Sequence, residues 1–225
     1  MQENGRISSR QFFLLIFTLI TSASLFNVPP IIISGAKQDV WIVMLIALGI
    51  DAVVAVVLYI LGLRYPNQTM FQYSEEILGK FLGKLSGLIF VLFFLLVTAV
   101  GLRVITSFVA TSAMPETPAF AFYIILLMVS AYAVNAGLEA IGRLSELVAP
   151  LLFLSLLLVI LLNLNHIKIQ HLQPAFQLSF GKAFQGSLLP GSLYGICIAM
   201  GVFMAYHNNP KDTLKAKLGG VTTGV

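Results

Sequence analysis

Charge is what this sequence has least of. Only 10% of its 225 residues are Asp, Glu, Lys or Arg, where a soluble domain carries about a quarter. With 58% hydrophobic residues and a mean hydropathy of +0.95, a soluble globular class is excluded. The chain reads as an all-α integral membrane protein whose partner is the lipid bilayer. Cys197 is the one cysteine and falls in an apolar run, so no intrachain disulfide can form. His166, His171 and His207 lie outside the apolar runs, and no Cys/His spacing suggests zinc. There is no Gly-rich phosphate loop and no convincing Ser/His/Asp set, so the residues support neither an enzyme nor a cofactor. A net charge of +4 is too small to argue for nucleic acid; the basic residues are better read as marking the cytoplasmic face.

What is present is a series of apolar runs. They predict spans at about 12–33, 40–63, 85–110, 119–134, 147–162 and 187–206, with the start of a seventh at about 218. Together they form one transmembrane domain over 1–225, expected to be a fragment or a truncated product. The first run is too long for a cleavable signal and lacks its small-residue exit. Between Arg64 and Lys84, Thr69 can cap and Gly79 can end a short amphipathic helix lying at the interface. Glu139, Arg143 and Glu146 share a helical face on which they can pair. Leu214 to Lys217 reads as a basic interfacial stretch. With the N-terminus in the cytoplasm, Arg6, Arg10, Arg64, Lys80, Lys84, Arg143, Lys211, Lys215 and Lys217 lie inside. Only Lys37, Lys168 and Lys182 lie outside, a positive-inside bias of nine to three.

The first run carries small and polar residues where lipid-facing bulk is expected: Thr21, Ser22, Ala23 and Ser24, followed by Pro29 and Pro30. A proline removes one backbone donor and clashes with the preceding turn. Two readings follow. Either the helix is kinked and packs through its small residues, or it is discontinuous and its freed backbone lines a cavity. The sixth run has the same character at Pro190-Gly191-Ser192-Leu193-Tyr194-Gly195-Ile196. Breaks in helices 1 and 6, five apart, are the spacing of a five-plus-five inverted-repeat transporter with its site where the two meet. That spacing favours the site reading, and the chain then holds the first six helices of such a fold. Asp51, mid-span, is either a functional carboxylate or an interior residue bonded to a neighbouring helix. Arg103, in the third run, is its possible counter-charge.

An ordered set of short motifs also carries a family resemblance. The run from Thr69 to Lys84, Leu102-Arg103, Pro115-Glu116-Thr117-Pro118, Gly137-Leu138-Glu139 with Arg143, Leu172-Gln173-Pro174 and Asn209-Pro210-Lys211 resemble the spore germination receptor B-subunit family over nearly the whole chain. That family belongs to the amino acid, polyamine and organocation transporter superfamily. The resemblance implies a permease-like subunit in the spore inner membrane, acting with an A-type membrane subunit and a C-type lipoprotein. It would bind a small nutrient such as an amino acid and trigger germination. The sequence departs from the family at Val104 and Ile196, where many members carry glutamate, and at Ser22 and Ser24, where glycines are usual.

The expected site places a nutrient carboxylate against backbone N–H groups near Thr21, Ser22, Ala23 and Ser24. Tyr194, Gly195 and Ile196 form the opposite wall, and Val104 and Ile105 an apolar one. The ammonium meets freed carbonyls. The alternatives are an amino acid transporter that moves its substrate across the membrane, and a structural scaffold with a vestigial pocket.

Overall fold

The computed structural model describes residues 6–164, 177–208 and 210–224, with backbone alone at 23–31, 34, 189, 192–194 and 196–197. Helix α1 covers Ser9–Ala36 and leads through a 3-10 turn, Lys37–Asp39, into α2, Val40–Arg64. Then follow α3 (Met70–Ser112), α4 (Ala119–Asn135) and α5 (Leu138–Asn163). Segment six is α6 (Phe180–Tyr194), a 3-10 turn Gly195–Ala199, the single turn α7 (Met200–Phe203) and a second 3-10 turn Met204–Tyr206. The last helix, α8, covers Thr213–Gly224. No strand occurs among the described residues; one isolated bridge joins Ile7 to His207.

Local chemistry explains the ends. Ser8 caps α1 reciprocally: its Oγ accepts from Gln11 N at 3.2 Å, and Gln11 Oε1 accepts from Ser8 N at 3.0 Å. At the start of α3, Gln72 Oε1 accepts from Thr69 N at 2.8 Å. Gly79 then leaves the helix at φ 80°, ψ 164°, backbone that glycine adopts without a Cβ penalty. A Cβ on Gly83 would lie 2.4 Å from Glu75 Cα, and one on Gly87 3.6 Å from the Phe71 ring. Both pairs are centred on Gly79, so α3 is a helical hairpin with a short arm, 70–78, folded back antiparallel on the long arm. The short helix expected between Thr69 and Gly79 is therefore present, but its long neighbour begins well before Leu85.

Three helical stretches among the described residues are long and apolar enough to cross a membrane: Lys37–Arg64, Met70–Ser112 and Leu138–Asn163. Ser9–Ser22 and Ala119–Asn135 are apolar but shorter. Helix α1 is the hub, packed against α8, α5 and α6, and α2 packs against α6 and α8. Ile7, Phe12, Ile16, Ile20, Ala47, Met200, Met204 and Val221 form the main core. No residue of α4 is buried, and its Phe120, Met128 and Tyr132 are exposed.

Several expectations are corrected here. Helix α1 runs unbroken through Pro29 and Pro30, where a discontinuity is expected. Hydrocarbon offers no water to freed backbone groups, so a helix that loses two donors to proline keeps the remaining bonds rather than unwinding. Helix α5 begins at Leu138, so the polar stretch before Leu147 is its first turns, with Glu139 and Arg143 paired there. The long connection after Asn163 lies largely outside the described residues. Ahead of α1, Ile7 N donates to Tyr206 O at 2.9 Å and Ile7 O accepts from Asn208 N at 3.0 Å. The buried His207 ring packs on Phe12 and bonds Thr213 Oγ1 through Nδ1 at 2.8 Å.

A candidate ligand site around two buried threonines

The expected site residues are distributed over three elements. Thr21 is 2% exposed on α1. Ser22 beside it is exposed and lines a cleft of about 360 Å³ between α1, α5 and α7, with Thr18, Ser145 and otherwise apolar neighbours such as Leu15, Ile141 and Phe203. The side chains of Ala23, Ser24, Tyr194 and Ile196 lie outside the described residues. Helix α6 runs through Pro190 to Tyr194, and Gly195 opens a 3-10 turn, so the discontinuity expected over Pro190 to Ile196 is a tightening of the helix at its end rather than unwound backbone. Helix α1 contacts both α6 and this turn, and touches α3. Helix α1, α6 and the 3-10 turn are thus brought together. The expected α3 residues are not the buried ones: Val104 is half-buried and Ile105 is 39% exposed. Thr106, one residue on, is 1% exposed.

Thr21 and Thr106 share an unusual property. In a helix a Ser or Thr hydroxyl ordinarily bonds the carbonyl one turn back. Thr18, Ser74, Ser86, Thr98, Thr111, Ser145, Ser187, Thr222 and Thr223 all do so. The Oγ1 atoms of Thr21 and Thr106 are buried with no hydrogen-bond partner, as is the Tyr73 hydroxyl on the short arm of α3. Leaving a buried hydroxyl unmatched costs about 1–3 kcal/mol. Thr106 and Ser107 both carry a hydroxyl within a turn of Val104, and burial alone singles out Thr106.

Asp51 has a partner, and it is not Arg103. Lys217 Nζ on α8 donates to Asp51 Oδ2, and lies 3.4 Å from the Asp51 carbonyl oxygen. The two side chains are 1% and 4% exposed, whereas Arg103 is exposed. The expectation of Lys217 as an interfacial residue is overturned by the same pair, and the charge bias becomes eight to three. A single charge at mid-span costs about 2.5–3.5 kcal/mol on insertion scales, so each group makes the other tolerable. No group of three His, Cys, Asp or Glu side chains able to hold a metal occurs among the described residues.

Long apolar helices around a buried ion pair, with no strand among the described residues, define a helical integral membrane protein. The chain belongs to the family described as spore germination protein, which it matches over residues 6–225. Spore germination protein YndE of Bacillus subtilis (strain 168) is 28% identical over 223 residues, 98% of this chain and 61% of that protein. Spore germination protein KB of the same organism is 31% identical over 152 residues, 68% of this chain and 40% of that protein. Spore germination protein B2, also from that organism, is 22% identical over 226 residues, 99% of this chain and 60% of that protein. The chain therefore spans about three-fifths or less of the length of these relatives. No solved structure matches it. The family is one of germination proteins rather than of enzymes.

Proposed function

We propose that this chain is part of the permease-like membrane subunit of a spore nutrient receptor, in the spore inner membrane with its N-terminus in the cytoplasm. It binds a small nutrient such as an amino acid, and works with an A-type membrane subunit and a C-type lipoprotein. The observation that carries the reading is the pair of buried, unpartnered hydroxyls at Thr21 and Thr106. Unmatched polar groups in a packed interior are a standing cost that a polar ligand would offset. Thr21, Ser22, Ala23 and Ser24 on α1, Tyr194, Gly195 and Ile196 on segment six, and Val104 and Ile105 with Thr106 on α3 form its walls. The five-plus-five repeat remains the architecture we propose for the whole protein.

The test uses spores making the full-length protein with Thr21→Val or Thr106→Val, challenged with L-alanine, L-valine and other single amino acids. Each valine removes an unmatched hydroxyl at constant shape. Melting temperature in detergent should hold or rise, while the nutrient concentration for half-maximal germination rises about fivefold, the equivalent of about 1 kcal/mol. An unchanged half-maximal concentration at normal subunit abundance would remove both threonines from the site. Saturable flux of labelled amino acid through the purified protein in liposomes would favour the transporter instead.

A further inference from the structure

We propose that Asp51 and Lys217 are positioning residues that set the register of α8 along α1, and through it what stands over Thr21. Helix α8 runs parallel to α1 on a seam of small residues. A Cβ on Gly220 would lie 2.8 Å from Phe13 O and 3.1 Å from Ile16 Cβ; one on Gly224 would lie 3.1 Å from Thr21 Oγ1 and 3.2 Å from Phe17 O. Small residues let two backbones approach this closely, but they present no knob to lock. Ala216, Gly220 and Gly224 repeat at four-residue intervals. A slip of one turn, about 5.4 Å, can put Gly220 where Ala216 stands, Gly224 where Gly220 stands and Leu218 where Leu214 stands, with Thr223 meeting the Phe13 ring in place of Gly219. The close backbone approach alone therefore discriminates weakly between these registers.

The ion pair closes that choice. Lys217 is buried against α2, whereas Lys211 and Lys215 on the same stretch are exposed. A one-turn slip in either direction carries its ammonium away from Asp51 and leaves two buried charges unmatched. Replacing a buried pair by apolar groups is often neutral for stability, so fixing one arrangement among several is the best-attested use of such a pair. In the observed register Gly224 faces Thr21 Oγ1. Another register would bring a different α8 residue to that hydroxyl. This last link rests on the ligand site proposed above; the register itself does not.

The experiment uses the full-length protein with Cys197→Ala and Ile16→Cys, combined in turn with Ala216→Cys, Gly220→Cys or Gly224→Cys. Linked peptides are read by mass spectrometry after oxidation in membranes. A Cβ at position 220 starts 3.1 Å from Ile16 Cβ, and the shift that clears Phe13 O carries the pair toward the roughly 3.5–4.5 Å of a disulfide; because that shift has a packing cost, parental abundance of the Gly220→Cys protein is the control for its use. With Asp51 and Lys217 present, Ile16→Cys links to position 220 alone. With Asp51→Asn and Lys217→Met together, abundance stays within twofold of the parent and links to 216 or 224 join the link to 220. In the same double variant without added cysteines, the L-alanine concentration for half-maximal germination rises at least fivefold. A neutral variant that still links only at 220, or a parent that links at several positions, overturns the register role. Failure of the neutral variant to accumulate also overturns it, because the pair would then hold the helix in the membrane rather than choose its position. Broadened linking with an unchanged nutrient response overturns only the connection to Thr21.

Discussion

Lys215 and Lys217 stand two residues apart and meet opposite environments, one exposed and one buried against Asp51. Composition cannot separate them, and reading the stretch as uniformly basic places both at the interface. The separating signal is periodicity: Leu214, Lys217, Leu218 and Val221 share one helical face. Asp51 was legible because a carboxylate inside an apolar run is conspicuous, but its partner is a tertiary fact. Thr106 was missed for the converse reason, since a threonine in a membrane helix is ordinary until its hydroxyl is found without a partner. The glycines of α8 give a prediction at this scale. Gly220→Ala puts a methyl against the Phe13 backbone, which cannot yield like a side chain. It should cost about 1–3 kcal/mol, read as a lower melting temperature in detergent. Gly49→Ala, with nothing within 4 Å of its Cβ, should hold or raise it through helix propensity.

The helical hairpin of α3 was half legible. Thr69 and Gly79 marked the short arm correctly, because capping and left-handed backbone are local chemistry written in single residues. That the short arm folds back on the long one was not legible, since it depends on Gly83 and Gly87 meeting Glu75 and Phe71 across the turn. Helix α1 shows the opposite case. Two prolines are a strong local signal, yet the helix continues through them, because in lipid the surrounding hydrogen bonds outweigh the local penalty. Gly83→Ala should open the hairpin, as its methyl would meet the Glu75 backbone, whereas Gly87→Ala meets only a ring edge at van der Waals distance. The difference is measurable by limited proteolysis of membranes after Lys80 and Lys84. Rapid cleavage in the Gly83 variant alone is expected, and equal rates in both would disprove the contact.

Composition placed the molecule among all-helical membrane proteins, and the ordered motifs placed it in its family; the arrangement around α1 came only from the structure. The proposed topology puts the short arm of α3 in the cytoplasm. Gln72 is exposed on the short arm. In a Cys197→Ala background, Gln72→Cys should react with an impermeant maleimide only after the membrane is permeabilised, and labelling of intact cells from outside would reverse the topology. The clip at Ile7 matters at this scale too. Both of its peptide groups are spent on the Tyr206 to Asn208 turn, so the start of the chain and the end of segment six travel as one piece. Two backbone hydrogen bonds thereby staple the approach to α1 onto the far end of segment six, so that the two chain ends of these elements share one anchor.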